Sequence, residues 1–307
     1  MDVKRARLQW GGGLLLAGAL VLSGCATSQG PALQASGGED SGPEQMVAVT
    51  PKAKARVREQ ERKERKEGPR SKADGEVSRR DYSQARAHQS LGMSYLRDGQ
   101  VAMAIRELRA AEDLNPYDSW IQLALAEAYR QRGRLEDAER HLQTALRNDP
   151  SFQGARLTLS GLYIQMKRYK DAIQQAAQLA DDPTFPDPWT ALSNQGFAEL
   201  QLGRFDAARH SLETAVDYNP RYWRAHLNLG ILEEKQGNRL EALRQFEQVL
   251  ALKPGPLGEA EANYRSAQIY ISLGNRARAV AHLMAASESV PNGPWGKQSE
   301  DTLKHLR

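Results

Sequence analysis

Between about residues 85 and 293, small and apolar residues recur at intervals of 34 to 37 positions. Each interval holds two amphipathic segments with helical spacing, and each segment has a small residue at the same place. These residues are Gly92, Ala126, Ser160, Gly196, Gly230 and Ala267 in the first segments, and Ala104, Ala138, Ala172, Ala208, Ala242 and Ala279 in the second. Small residues let two helix backbones approach closely, so the pattern predicts six pairs of packed helices.

Turn residues separate the predicted helices. A glycine falls inside every pair except the third, where Lys167 takes its place; the glycines are Gly99, Gly133, Gly203, Gly237 and Gly274. Prolines, which cannot continue a helical ladder, follow the pairs. Two proline-containing insertions, at 181–188 and 255–259, are predicted to be ordered turns. Residues 294–307 are predicted to form a helix that caps the last pair.

This pattern resembles the tetratricopeptide (TPR) repeat over residues 83–293. The resemblance implies an all-α fold: a TPR solenoid of about six helix-turn-helix repeats with a C-terminal capping helix, preceded by a disordered tether. Leucines one position before the small residues are expected to fill the core; they are Leu91, Leu125, Leu159 and Leu229.

The first 24 residues have the parts of a secretory signal peptide. Three basic residues fall among the first seven, residues 11–22 are apolar, and small residues follow. The apolar run is shorter than the roughly 20 residues that a membrane-spanning helix needs.

The end of this segment, Leu-Ser-Gly-Cys at 22–25, resembles the bacterial lipobox. The resemblance implies that Cys25, the sole cysteine, becomes the acylated N-terminus and anchors the protein to a membrane. Because Ala26 is not aspartate, the resemblance implies the outer membrane, with the protein facing the periplasm. The alternatives are an ordinary cleaved signal with an incidental cysteine, or an uncleaved anchor.

Residues 25–82 are predicted to be a lipid-anchored, flexible, charged linker. They lack the apolar residues that would offset the entropy of ordering. Residues 51–80 contain 12 Lys/Arg and 6 Asp/Glu, whereas residues 81–307 carry a net charge of −1. The sequence pI of 9.1 therefore reflects the linker. The repeats have no excess positive charge with which to bind the phosphates of nucleic acid. Contact of the basic tract with anionic lipid, lipopolysaccharide or cell wall is an alternative role for the linker.

The residues typical of catalysis or metal binding do not form recognisable motifs in this sequence. The six histidines are scattered without a paired spacing, and there is no phosphate loop, dinucleotide fingerprint or nucleophile elbow. We therefore expect a non-enzymatic binding protein without cofactor or metal.

In the TPR family, a concave groove is lined by fixed positions of each first helix. Carried onto this sequence, the resemblance implies a partner-binding groove that is apolar and suits an amphipathic helix or an extended apolar peptide. Its predicted residues are Met93, Leu96, Trp120, Phe197, Leu200, Ile231 and Tyr264. The alternative for several such positions is packing between repeats.

Residues 179–212 resemble one group of TPR lipoproteins in particular. A proline-containing junction, Asp-Asp-Pro-Thr-Phe-Pro-Asp-Pro at 181–188, precedes an Asn-Gln-Gly at 194–196 in the fourth repeat. Both features resemble the type IV pilus secretin pilotin family (PilF/PilW/Tgl). The resemblance implies a protein that binds secretin subunits and promotes their outer-membrane localisation and multimerisation for pilus assembly and motility. The long basic linker favours an alternative, a scaffold of another cell-envelope complex such as gliding machinery or peptidoglycan enzyme regulation.

Overall fold

Each predicted repeat folds as two helices joined by a tight turn. The structure, a computed structural model, describes residues 77–306, so the signal segment, Cys25 and most of the linker lie outside the described residues. Within 77–306 all regular structure is helical. The helices are α1 Arg79–Arg97, α2 Val101–Leu114, α3 Ser119–Gln131, α4 Leu135–Asn148, α5 Gln153–Gln165, α6 Tyr169–Ala180, α7 Pro188–Gln201, α8 Phe205–Tyr218, α9 Trp223–Gln236, α10 Arg239–Ala251, α11 Pro256–Ser272, α12 Arg276–Ser289 and α13 Pro294–Leu306.

The described residues divide into two compact units, 77–152 and 153–306. The N-terminal unit contains α1–α4, which form the first two repeats. Its first helix begins at Arg79, within the segment predicted as linker, because the side chain of Ser78 accepts a hydrogen bond from the Asp81 amide and caps the helix.

The core leucines of the N-terminal unit do not behave alike. Leu125 is fully buried, as predicted, whereas Leu91 is 44% exposed. Leu91 lies on α1, the first helix of the unit, and no earlier repeat exists in the described residues to cover it. The repeat pattern alone assigned the same environment to both residues, and the prediction for Leu91 was wrong.

The C-terminal unit contains α5–α12, four repeats, followed by α13. The connection at 181–188 is irregular up to Pro188, where α7 begins. At 255–259 the prediction of a turn was wrong beyond Gly255, because Pro256 starts α11 and the insertion lengthens that helix to 17 residues. Proline suits the first turn of a helix, where no amide is needed. The last helix, α13, lies where the cap was predicted and packs on α11 and α12.

The turns inside the repeats use left-handed backbone geometry, as their glycines indicated. Gly133 has φ 77° and Gly237 has φ 82°, and Lys167 adopts the same region with φ 58°. None of the helices within 77–306 is long and apolar enough to cross a membrane.

Candidate partner-binding surface

The first helices of the repeats form one layer in each unit, which we call the first-helix layer. It consists of α1 and α3 in the N-terminal unit, and of α5, α7, α9 and α11 in the C-terminal unit. The seven predicted groove residues all lie on these helices. The structure leaves only Trp120 widely exposed among them, at 50%.

Four of the seven predicted groove residues are buried, which corrects that part of the predicted surface. They are Leu96, Phe197, Leu200 and Ile231, with at most 9% of each residue exposed. In the C-terminal unit, Leu200 and Ile231 belong to the continuous core formed with α8 and α10. Their side chains fill the space between neighbouring helices. For these residues the alternative interpretation, packing between repeats instead of partner binding, therefore applies.

The remaining two predicted residues are half-buried. Met93 lies on α1 of the N-terminal unit. Tyr264 packs against Trp295 of the capping helix, with ring centroids 5.1 Å apart, and the Arg265 guanidinium lies 5.4 Å from the Trp295 ring centre. The cap therefore occupies part of the surface that was assigned to a partner at Tyr264.

Trp120 is presented by a well-defined helix start. Asp118 caps α3, with its carboxylate accepting from the amides of Trp120 at 2.8 Å and Ile121 at 3.3 Å. The indole ring packs on Phe152, with centroids 4.6 Å apart at 58°. One side of the indole is thus fixed by packing, and the rest is open to solvent. A large aromatic held in this way is typical of an interface anchor.

Behind this surface, the N-terminal unit contains a buried polar network. His141 on α4 and Gln122 on α3 are 6% and 1% exposed, and His141 Nδ1 lies 2.7 Å from Gln122 Oε1. Gln122 Nε2 in turn donates to Glu112 at 3.0 Å, and Tyr129 stacks on the imidazole at 5.3 Å. The Gln122 oxygen accepts a hydrogen bond from Nδ1–H of His141, so this contact fixes which ring nitrogen carries the hydrogen in the neutral imidazole.

This network predicts acid sensitivity in the N-terminal unit. Burial lowers the pKa of His141 from 6.5 to about 4, with Arg109 and Arg140 adding to the effect and Glu112 opposing it. The unfolded chain therefore binds the proton more readily, and stability from this group is complete above pH 6.5 and lost as the pH falls towards 4. We expect the wild type to lose about 2 kcal/mol more than His141→Gln between pH 7.5 and 4.5 in urea denaturation.

The control is His210→Gln, which changes an exposed histidine on α8. It should follow the wild-type pH dependence. An equal acid loss in wild type and His141→Gln would show that the buried imidazole does not contribute.

The first helices of the C-terminal unit also bury polar residues, which the prediction of an apolar groove did not include. The buried polar residues of α7, α9 and α11 are Thr190, Ser193, Glu199, Asn228, Glu233, Glu261, Asn263 and Ser266. Two of them link neighbouring first helices, since Asn228 Nδ2 on α9 donates to Ser193 Oγ on α7 at 3.2 Å. The asparagine and serine residues of these helices are visible in the sequence, but the apolar prediction gave them no weight.

A group of titratable side chains lies at the start of α9. Burial lowers the pKa of the Arg224 guanidinium, and the nearby Tyr222 and Glu261 side chains partly oppose this shift. Burial also raises the pKa of the Tyr222 hydroxyl, and the nearby Arg224 guanidinium opposes this shift. The pKa of the Asp187 carboxyl is likewise raised by burial. On α11, Arg265 binds both Glu261 at 2.9 Å and Glu234 at 3.0 Å.

Paired helices, glycine turns and a layer of first helices define a helical-repeat scaffold. The chain belongs to the tetratricopeptide repeat family. One profile of that family matches residues 95–151, 131–194 and 233–295, and a second matches 194–254.

Two curated relatives are similar to parts of the chain. The Dictyostelium discoideum protein named DnaJ homolog subfamily C member 7 homolog is 29% identical over 146 residues, which is 43% of this chain and 27% of the relative. The type IV pilus assembly protein PilF of Pseudomonas aeruginosa is 24% identical over 161 residues, which is 52% of this chain and 64% of PilF. The chain therefore covers less than two thirds of the length of either relative.

Among solved structures, the chain is similar to PilW, described as a widely conserved type IV pilus biogenesis factor. The TM-score is 0.61 at 20% identity, and the match covers 70% of this chain and 97% of PilW. At this identity the likeness shows the fold.

Proposed function

We propose that this chain is a non-enzymatic scaffold of a type IV pilus machine, which binds secretin subunits and promotes their assembly in the outer membrane. The similarity to PilF, a type IV pilus assembly protein, carries the proposal. The pilotin resemblance of residues 179–212 supports it.

The N-terminal unit supplies the binding surface in this proposal. Trp120 is fixed on one side by Phe152 and exposed on the other, so it can bury apolar area against a partner without losing much side-chain freedom. An apolar secretin segment that would otherwise aggregate fits such an anchor. Leu91, 44% exposed on α1 of the same unit, adds apolar area.

In the same proposal, acylated Cys25 anchors the chain to the outer membrane. Fully extended, the chain from Cys25 to the start of α1 would span at most roughly 180 Å. The repeats could then reach a secretin subunit before it enters the membrane.

The test of the function is co-purification from detergent-solubilised envelopes, together with the secretin multimers of a deletion strain. We expect secretin subunits to be recovered with the protein, and multimers to decrease when the gene is deleted. Recovery of another envelope complex with unchanged multimers would favour the alternative scaffold role.

The test of the anchor is Cys25→Ser, compared with Ser28→Ala three residues later. Because a serine hydroxyl does not replace the thiol in lipid attachment, Cys25→Ser should move the protein from the membrane to the soluble fraction on ultracentrifugation. Ser28→Ala should stay with the membrane. Membrane retention of both variants would contradict acylation at Cys25.

A further inference from the structure

The first helix of the N-terminal unit carries a row of exposed arginines. Arg79, Arg86 and Arg97 follow one another at intervals of 7 and 11 residues, which are close to two and three turns of an α-helix. All three are exposed, so they form a line along one side of α1 that is about 27 Å long. We call this line the α1 arginine row.

The three arginines have no partner among the described residues. Within residues 77–306, none of their side chains makes a hydrogen bond or an ion pair, although Asp98 directly follows Arg97. Other arginines of the same unit bind carboxylates. These pairs are Arg106 with Glu107, Arg109 with Glu112, and Arg130 with Glu127, at 2.5 to 3.1 Å. The charge of the α1 arginine row is therefore available to a ligand.

Charge in the N-terminal unit is divided between α1 and the remainder. Helix α1 contains four arginines and one acidic residue, a net charge of +3, whereas residues 98–152 contain seven arginines and ten Asp/Glu, a net charge of −3. The acidic residue, Asp81, is half-buried and lies roughly opposite Arg79 across the helix. Because α1 begins within the basic tract of 51–80, the row continues that positive charge onto the folded unit.

The surface beside the row consists of small side chains. Ser83, Ala87, Ser90 and Ser94 lie on the neighbouring strip of α1, at spacings of 4, 3 and 4 residues. Ser94 is half-buried and the other three are exposed. Side chains of this size do not hold a flat surface away from the helix, and the longer arginine side chains can reach past them. Leu91, assigned to the partner surface, lies about a third of a turn away from the row.

We propose that the α1 arginine row binds the anionic headgroups of a phospholipid membrane surface. A straight row of long, flexible cations fits a flat array of negative charges, because each guanidinium can meet a separate phosphate. Lysines and arginines near an anionic membrane surface are each attracted to it, so the basic tract of 51–80 adds to the same contact. This inference goes beyond the proposed function, because it concerns a lipid contact of the folded repeats and not the protein partner.

A lipid surface fits the row better than a cell-wall glycan or a peptide does. A site for a ligand of defined shape is usually concave, with aromatic and polar groups at fixed positions. The row is instead a line of separate charges on a convex helix surface, about 10 and 16 Å apart, and the exposed residues of α1 include no aromatic side chain. A fluid lipid surface needs no fixed pattern, because its headgroups can move to the cations.

The test uses the purified full chain with Cys25→Ser, which has no thiol for an acyl chain. Its partition coefficient is measured by co-sedimentation with vesicles of phosphatidylcholine alone and with vesicles that also contain phosphatidylglycerol at three lipids in ten. We expect a preference for the anionic vesicles of roughly 100-fold in 0.1 M NaCl. In 1 M NaCl the preference should disappear, since the Debye length falls from about 10 Å to about 3 Å.

Replacing the whole row, with Arg79→Gln, Arg86→Gln and Arg97→Gln in one chain, should lower the anionic preference by roughly ten-fold or more. The same three positions changed to lysine keep the charge and should retain the preference within about three-fold, because attraction to a charged surface does not need the guanidinium fork. Residues 1–24 are identical in all variants, so their contribution cancels from the comparison.

The matched control removes the same charge from another part of the unit. It combines Arg132→Gln, Arg140→Gln and Arg147→Gln, three exposed arginines that lie at the end of α3 and on α4. This variant should keep the anionic preference of the unsubstituted row. Circular dichroism should show that all variants are folded.

Equal binding to the two kinds of vesicle overturns the inference. An equal loss in the row variant and the control also overturns it, because net charge would then explain the attraction. An unchanged preference in the row variant assigns the contact to the basic tract alone and removes α1 from it. A parallel pull-down uses insoluble peptidoglycan: retention there that the row variant loses, without a vesicle preference, identifies the cell wall and overturns the lipid contact. Neither assay contains secretin, so the outcome is independent of co-purification.

Discussion

Replacing Gly230 with alanine should lower the free energy of unfolding of the C-terminal unit by about 3 kcal/mol. A Cβ at this position would lie 2.4 Å from Cε1 of Phe246, an atom of a ring that is fully buried between α9 and α10. The ring has no free volume to move into, since close-packed interiors hold few voids. Urea denaturation followed by circular dichroism measures the change.

The sequence itself provides the rescue. In the sixth repeat the equivalent pair is Ala267 and Leu283, both fully buried, so alanine and leucine pack together at this crossing. Gly230→Ala combined with Phe246→Leu should therefore be more stable than Gly230→Ala alone. Gly196→Ala, facing Leu212 at 2.6 Å, should cost less than Gly230→Ala because leucine is already present. A double variant as unstable as the sum of the single ones would contradict a steric origin.

The close approach of the paired helices could be predicted because it depends on local and periodic features. Glycine or alanine recurs at the crossing, and the added Cβ of Gly92 would meet Leu108 just as that of Gly196 would meet Leu212. The turns were equally predictable, since a left-handed backbone favours glycine. Lys167 shows that the geometry persists where the glycine is missing.

The partner-binding surface could be predicted only in part, because the exposure of a residue depends on its neighbours in space. Trp120 and Phe197 both lie on first helices, yet one is 50% exposed and the other 7%. Phe197 is covered within the core of its unit, whereas Trp120 extends beyond Phe152. The cover over Tyr264 likewise depends on Trp295 of the capping helix, which repeat periodicity does not specify.

Trp120→Ala is the second change with a large expected effect, this time on binding. Truncating a central aromatic anchor typically costs about 2 kcal/mol or more, which corresponds to roughly 30-fold weaker binding. The fold should persist, because half of Trp120 is exposed and its ring is not part of the buried core. Calorimetric titration of the full chain with the proposed partner, a purified secretin subunit, measures the affinity.

Two further variants separate the loss of the anchor from a loss of structure. Trp120→Phe keeps an aromatic ring on Phe152 and should fall between wild type and Trp120→Ala. Tyr218→Ala removes an aromatic residue that is 60% exposed at the end of α8, a second helix, and should bind as the wild type does. If Tyr218→Ala weakens binding as much as Trp120→Ala, the first-helix layer is not the binding surface. If neither does, exposure of Trp120 has another cause and the anchor must lie elsewhere in the chain.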